Sequence, residues 1–584
     1  MTTARINAES LLAIDVGSVS TRAMLFDDVE GRYRFLGAGI AATTAGAPFK
    51  DVLEGVRRSL ERLQTITGRV LVDDDERLII PSRPDGAGVD VVSATISAGP
   101  PLKVLVLGLL EDISQDSARH LARTTYTRVV ESIGLNDRRK TDERIDAILR
   151  LRPDLILAAG GTEGGASQSV IKMLEAVGLA SYLMSDDQRA EVLYIGNQAI
   201  KQDVKATLGK IGPLHFAPNV RPELETEQLE PAQVSLAEIS CHVRSRQIHG
   251  VDELEGWAGG GLLPTATAFG RIVRFLSKMY NSEKGVLGVD VGASAVTVAM
   301  ASGGQLRQCV FPEHGLGRGM SELLDHCQVG DITRWLHLDI PETYIKEYLY
   351  TKVLYPASLP ATTEDLAIEQ ALARQVIQLS VRRTLEDIQI RNAGFKSGLL
   401  PLFEPIIASG SVLTRAPNLA QSLLILLDSL QPTGITTLVL DQNHLSSALG
   451  AAAAVNPVLT AQVLGSSTFQ NLGTVICPVG DARPGTPILR VRMTVDGGSE
   501  TSLEVKEGAL ELLHLPNGQR AELQLQPLHK YDVGMGGLGR GGSLRVVGGA
   551  LGVIIDARGR PLSLPADPAR RREIIGKWRW ILGC

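Results

Sequence analysis

The feature that most constrains this chain is a duplication. Residues 11–28 read LLAIDVGSVSTRAMLFDD, and residues 285–302 read GVLGVDVGASAVTVAMAS. Each is an apolar strand, then Asp-Val-Gly, then small residues and a second apolar strand. Asp15 and Asp290 lie 275 positions apart, so the repeat is one of whole domains and not of a solenoid unit. A tight glycine turn between strands exposes successive backbone N–H groups and forms an anion-binding concavity. An Asp at the strand end suits a Mg²⁺ ion held through its waters. One such hairpin is an ordinary turn. Two in matching contexts point to a clamp on both sides of a phosphate tail.

The chain has 584 residues, enough for three or four structural units. Hydrophobic residues make up 44% and charged residues 21%, which is ordinary globular usage. Aromatics are only 4%, so the core must be aliphatic and alanine-rich. The net charge of −6 comes without a basic block, which argues against nucleic acid as a partner. Cys241, Cys309, Cys327, Cys477 and Cys584 are scattered and odd in number, with no CxxC pair. That pattern fits a reducing cytosol and is not a disulfide framework. The opening MTTARINAES has no apolar secretory region, and no run of about 20 apolar residues follows, so a cytoplasmic protein off the membrane is expected.

Three strands are expected over residues 11–45. An amphipathic helix is expected through Phe49, Val52, Leu53, Val56, Leu60 and Leu63, stopped by Gly68. From 101 to 210 strands alternate with helices, as in a parallel α/β sheet; DLILAAGG is a buried strand ending in glycines. Residues 211–232 hold four prolines and several acids and read as a linker or surface excursion. After the second hairpin come a helix from about 363 to 391, the strand PIIASG, a helix at NLAQSLLILLDSL, the strand TTLVL and the small-residue helix SALGAAAA. Beyond 460, short strands and Asp-Gly or Asn-Gly turns read as a separate all-β module. The expected division is 1–100, 101–275, 276–459 and 460–584.

Four motifs stand in the order used by the actin, Hsp70 and sugar-kinase superfamily. Asp15-Val16-Gly17-Ser18-Val19-Ser20-Thr21-Arg22 resembles its first phosphate motif, and Asp290-Val291-Gly292-Ala293-Ser294 its second. Ile406-Ile407-Ala408-Ser409-Gly410-Ser411 is similar to the adenosine motif, and Ala448-Leu449-Gly450-Ala451-Ala452 to the second connecting helix. A closer resemblance, over residues 11–455, is to the MutL/GlmL family of glutamate mutase accessory proteins, unrelated to the DNA-repair MutL. DVGSVSTR, SAGPPLKVLVLGLLEDISQDSAR, LRPDLILAAGGTEGG, EVLYIGNQ, HFAPNVRPEL and IIASGSVLTRAP carry it.

The resemblance implies an α/β, actin-like two-lobed ATPase fold. Duplicated RNase H-like halves would carry an α/β insertion and a C-terminal all-β module. It implies an ATP-binding helper for an adenosylcobalamin-dependent mutase, acting in reactivation or cofactor handling, with cobalamin met only through that partner. Asp15 would organise Mg²⁺ and be the catalytic candidate. Gly17, Ser18, Thr21 and Arg22 would hold phosphates from one side; Asp290, Gly292 and Ser294 from the other; Gly410 and Ser411 would touch the nucleoside. The family's second motif reads D-I-G-G-A-T-T-D; here its second glycine is Ala293 and its last residues are Ala295-Val296-Thr297. The first motif's Lys is Arg22, a fork in place of a point charge. These departures leave a weak ATPase and a non-hydrolysing scaffold or filament-forming protein both open, and a homo-oligomer as well.

Further candidates carry two readings. Gly160–Gly165 is a structural turn or a site for an anion or partner at the N-terminus of the following helix. Gly315–Gly319 is a plain loop or a mobile loop near the second half-site. Gly534–Gly539 fits G-x-G-x-x-G but precedes a strand, so it reads as β-turns. His242 and His249 read as solvated residues of one helix face.

Overall fold

Leu11, Leu12, Ile14 and Val16 are buried on both faces of their strand, which places it inside a sheet and not at an edge. The computed structural model describes residues 9–209, 212–280, 283–387 and 398–584. The first eight residues, residue 211 of the expected linker and the expected helix beyond Asp387 lie outside them. The described chain divides into two units. The first runs to Ala268, with Gln308–Pro312 and Ser447–Thr460; the second holds Phe269–Arg307, Glu313–Ser446 and Ala461–Cys584.

The first unit contains β1 (Ser10–Val16), β2 (Ser20–Val29), β3 (Arg32–Ala42), β4 (Val91–Ile96), β5 (Leu102–Leu107), β6 (Thr127–Ile133), β7 (Leu155–Ala158), β8 (Glu191–Tyr194), β9 (Leu214–Phe216) and β10 (Leu263–Pro264). One sheet has the order β10-β4-β1-β2-β3. β1, β2 and β3 form an antiparallel meander, and β4 joins β1 in parallel. The helix Leu53–Thr67 lays Leu53, Val56, Leu60 and Leu63 on this sheet, each side chain contributing roughly 1.5–3 kcal/mol of burial. Gly68 ends it in the left-handed conformation with its N–H on Gln64 O, at the expected position. Phe49, expected at its start, lies outside the helix and is half exposed.

The expected α/β segment is a fully parallel sheet of order β6-β5-β7-β8-β9. Its last strand falls inside the stretch that reads as a linker. The prolines there break helices but leave Leu214–Phe216 free to close the sheet edge beside β8. The helix Glu230–Gln247 serves both sheets, giving Cys241 to the first core and Leu236, Ile239 and Val243 to the other.

The second unit carries β11 (Gly285–Val291) and β12 (Val296–Ser302). β13 (Gln305–Phe311) is shared between the units in sequence. Then follow β14 (Phe403–Ser409), β15 (Gly434–Leu440), β16 (Gln470–Cys477), β17 (Pro487–Val495), β18 (Glu500–Lys506), β19 (Leu510–Leu513), β20 (Arg520–Pro527), β21 (Gly542–Val547) and β22 (Val553–Asp556). The sheet order β13-β12-β11-β14-β15 repeats β3-β2-β1-β4-β10, again with an antiparallel hairpin and a parallel fourth strand. Each unit therefore holds one RNase H-like half of an actin-like fold.

The C-terminal strands are less separate than their turn-rich sequence suggests. β17, β18, β20 and β21 form a sheet of their own, but β16, β22 and β19 extend the second half's sheet beyond β15. A buried ion network ties the two parts: Asp428 accepts from Arg374 and Arg558, and Asp556 from Arg558 and Arg560, at 2.7–2.8 Å. The chain ends in the helix Pro568–Leu582, and Arg558 stacks on its Trp578 at 4.4 Å. Among the described residues no helix is long and apolar enough to cross a membrane.

Candidate functional site

Antiparallel pairing of β1 with β2 sets Arg22 opposite Asp15 and Thr21 opposite Val16. The chain reverses between them in a turn closed by Gly17 N–H on Ser20 O at 3.0 Å, leaving Ser18 exposed at the tip. Asp15 is buried. Its Oδ1 accepts from Thr95 Oγ1 at 2.7 Å and Thr265 Oγ1 at 3.0 Å, and its Oδ2 lies 3.7 Å from the Arg22 guanidinium. Thr95 is Asp15's register partner on β4, while Thr265 starts the helix after β10. Three separate elements thus fix one carboxylate at the end of β1.

Thr21, expected on the phosphates, is placed elsewhere. Successive strand residues face opposite sides, and its fully buried hydroxyl pairs with Thr43 Oγ1 at 2.9 Å. Thr43 in turn donates to Gly17 O at 2.8 Å, so Thr21 braces the turn from behind.

The second hairpin repeats the first in register. Gly292 N–H meets Ala295 O at 2.9 Å, as Gly17 meets Ser20. Asp290 pairs across with Thr297 where Asp15 has Arg22, and in parallel with Ser409 where Asp15 has Thr95. Asp290, Gly292 and Ser294 are more accessible than Asp15. The cation of the first hairpin has no counterpart on the second.

The loop Gly315–Gly319 packs on this second turn. Leu316 N–H donates to Gly292 O at 3.0 Å, and a Cβ on Gly315 or Gly317 would sit 2.6 or 2.8 Å from Ala293 O. Arg318 in that loop is exposed, and its side chain has no partner among the described residues. The loop thus lies beside the second half-site, packed against its turn.

On β14, Ser409 leads into Gly410 at φ +117, where a Cβ would meet Val291 O at 2.3 Å. No other residue fits there without moving the second hairpin. Gly410 is buried and Ser411 is exposed beyond it. His444 sits between Ser409 Oγ at 3.3 Å and Thr414 Oγ1 at 3.2 Å. Asp441 caps the small-residue helix Leu445–Ala452 by accepting from Leu445 N and Ser446 N. Within the first unit Gly450 of that helix lies against Ala268, whose carbonyl oxygen would be 1.9 Å from an added Cβ. The small residues there do let two helices cross closely.

The residues fit a nucleotide phosphate better than a directly bound metal. Each turn presents backbone N–H groups beside a small exposed or half-exposed residue. Asp15 has one oxygen engaged by two hydroxyls and the other beside Arg22, so it suits Mg²⁺ through water. Among the described residues no group of three His, Cys, Asp or Glu side chains is placed to hold a metal.

Comparison with known proteins follows the same segments. The model of the family described as MutL protein matches residues 11–468. The chain belongs to the MutL protein family. Protein MutL of Clostridium tetanomorphum is 25% identical over 398 residues, covering 64% of this chain and 78% of that protein. Among solved structures, nucleotide-free acetone carboxylase matches at 13% identity and a TM-score of 0.30, over 86% of this chain and 82% of that one. Xylulose kinase from Bifidobacterium adolescentis matches at 11% and 0.29, over 79% and 94%. The activator of the 2-hydroxyisocaproyl-CoA dehydratase from Clostridium difficile, with bound ADPNP, matches at 11% and 0.27, over 78% and 97%. These are distant likenesses.

In this MutL-family chain the Gly160–Gly165 loop is bonded into its own sheet end. Asn219 donates to Gly161 O and Glu163 Oε1, Gly164 N–H meets Asn197 Oδ1, and Glu163 N–H meets Pro222 O. That is the structural-turn reading. Gly534–Gly539 leads into β21 and no helix, as its β-turn reading requires.

Proposed function

We propose that this MutL-family protein binds ATP through its two Asp-Val-Gly hairpins and serves an adenosylcobalamin-dependent mutase, in reactivation or cofactor handling. The observation that carries the nucleotide part is the registered repetition of the hairpin. The same turn hydrogen bond, the same strand-end carboxylate and the same parallel hydroxyl partner recur at Asp15 and Asp290. Gly17 and Ser18 contribute phosphate contacts from the first hairpin, Gly292 and Ser294 from the second, and Ser411 faces the nucleoside. Bound Mg²⁺ would neutralise phosphate charge, with Asp15 orienting its waters. Arg22 supplies a fixed cation beside Asp15 and holds that carboxylate's second oxygen. The mutase partner rests on family membership and on the resemblance of the sequence motifs. A cytoplasmic setting belongs to the same reading.

A second reading, nucleotide binding without turnover, is favoured by the second hairpin. Thr297 stands where the first hairpin has Arg22, and Ala293 adds a methyl at the turn. Phosphoryl transfer depends on positioning and charge stabilisation, and this hairpin has lost charge. ATP hydrolysis by the purified protein, alone and with an inactivated mutase, separates the two. The helper reading expects turnover and recovery of mutase activity that Asp15→Ala abolishes. Binding with no Asp15-dependent turnover under either condition selects the scaffold.

A further inference from the structure

Glu191 carries a fully buried carboxylate at the start of β8. It shares a strand face with Leu193, so it turns toward the helix Glu230–Gln247, whose Ile239 and Val243 pack in one core with Leu193. A buried charge has to be paired. Arg246 of that helix lies 2.8 Å from Oε1 as an ion pair, at an angle too oblique for a hydrogen bond. His215 of the edge strand β9 bonds Oε2 at 2.7 Å, and His242, one turn before Arg246, lies 3.7 Å from Oε1. Arg246 alone balances the carboxylate, so two imidazoles are gathered at a charge already compensated. Paired with Arg246, the carboxylate only accepts, and His215 Nε2 carries the proton of their bond. His215 Nδ1 and both ring nitrogens of His242 make no hydrogen bond among the described residues. The two side chains keep 40% and 61% of their surface free.

Both histidines line a cavity of about 280 Å³, partly open to solvent, between β9 and the helix; Phe216, Ser235, Glu238 and Ile239 complete its wall. That is close to the lower end of small-molecule sites, about 300 Å³. The lining has two ends. Ser235, Glu238, Ile239 and His242 share one helix face, and Ser235 and His242 are two turns, about 10 Å, apart. The imidazoles stand at one end. At the other are the Ser235 hydroxyl and the Glu238 carboxylate, with no hydrogen bond or ion pair among the described residues. Phe216 and Ile239 supply apolar surface, and the Lys201 ammonium stands over the Phe216 ring at 4.7 Å.

We propose that this cavity binds a small organic anion that also carries a hydroxyl or amino group. Its carboxylate or phosphate sits at His215 and His242, and its second polar group at Ser235 and Glu238. Imidazole N–H groups donate to an oxyanion, and more strongly when the ring is charged. Since the Nε2 proton of His215 is committed to Glu191, His215 serves the ligand through Nδ1. A carboxylate and a hydroxyl at the far end suit an ammonium or a hydroxyl of the ligand. The site lies within the parallel-sheet segment of the first unit and does not depend on the nucleotide reading of the hairpins.

The test is calorimetric titration of the full-length protein with two matched pairs, 4-aminobutyrate and butyrate, and glycerol 3-phosphate and propyl phosphate. Saturable binding of 4-aminobutyrate or of glycerol 3-phosphate is expected, tighter than that of the compound lacking the amino or hydroxyl groups. The first marks a carboxylate ligand and the second a phosphate ester. His242→Gln, and the double variant Ser235→Ala, Glu238→Gln, are each expected to weaken that binding about tenfold. Melting temperatures should stay at the wild-type value, because none of these side chains is buried or makes a hydrogen bond among the described residues. A second readout locates the ligand. Acylation of His242 by diethyl pyrocarbonate, followed by mass spectrometry, is expected to slow several-fold when the bound probe is saturating. No saturable binding of any of the four compounds, equal affinities within both pairs, wild-type binding by the variants, or unprotected His242 with the probe bound overturns the proposal.

Discussion

Asp15 and Thr95 are direct neighbours in the parallel pairing of β1 with β4, and the Thr95 hydroxyl donates to the Asp15 carboxylate at 2.7 Å. Asp290 and Ser409 occupy the same two places in the second unit. The relation makes Thr95 a positioning residue. A buried hydrogen bond to a charged group contributes about 1.5–3 kcal/mol. Thr95→Val is expected to cost about that in urea unfolding and to weaken ATP binding several-fold, because the carboxylate is then held only by Thr265 and Arg22. Thr95→Ser is expected to retain both.

Gly410→Ala is expected to be among the more damaging single-methyl changes in the second unit. The new Cβ would lie 2.3 Å from Val291 O, at a φ that side chains rarely adopt. Strain of this kind costs about 1–3 kcal/mol before any backbone shift. Denaturant unfolding should show that loss, and nucleotide titration should show weaker binding because the shift is passed to the second hairpin.

Arg318 is exposed, with no side-chain partner among the described residues, on a loop whose backbone packs against Ala293. On the nucleotide reading it restores a cation near the hairpin that lacks one. Arg318→Ala is expected to leave the melting temperature unchanged and to weaken ATP binding about tenfold, with a smaller effect on AMP. Equal losses for both nucleotides would contradict a role at the phosphate end.

His314 anchors the same loop. Ser380 gives its proton to Val376 O, so His314 Nδ1 must be the donor in its 2.8 Å bond to Ser380 Oγ. Burial, with Arg383 and His326 nearby, pushes its pKa down to about 3. The folded protein therefore holds it neutral where the unfolded chain, at about 6.5, takes up a proton. Its contribution is present above pH 6.5 and lost as pH falls towards 3, amounting to about 2 kcal/mol at pH 5. Unfolding free energies at pH 7 and pH 5 should show this difference shrinking in His314→Gln.

Much of the fold can be read from the residues because its signals are local. The two hairpins announce themselves by Asp-Val-Gly between apolar strands, and Gly68 ends its helix where it should. What the residues do not announce is pairing over long distances. Thr265 reaches Asp15 across 250 positions, and in sequence it is one more threonine before an apolar helix. Leu214–Phe216 is too short beside its prolines to read as a strand, yet it completes a sheet. Apolar β16 and β22 look the same whether they join a separate module or the second half's sheet; only the register with β15 decides. Thr21 shows the same limit at one residue. It stands in the motif, but its buried side of β2 takes it behind the turn.

The central claim is that both hairpins act on one nucleotide. It is tested most directly by calorimetric titration of the full-length protein with ATP and Mg²⁺, beside Asp15→Ala and Gly292→Val. The account predicts one ATP per chain and loss of at least tenfold in affinity in either variant. Two independent sites per chain, or a variant in either hairpin that binds as the wild type does, would contradict it.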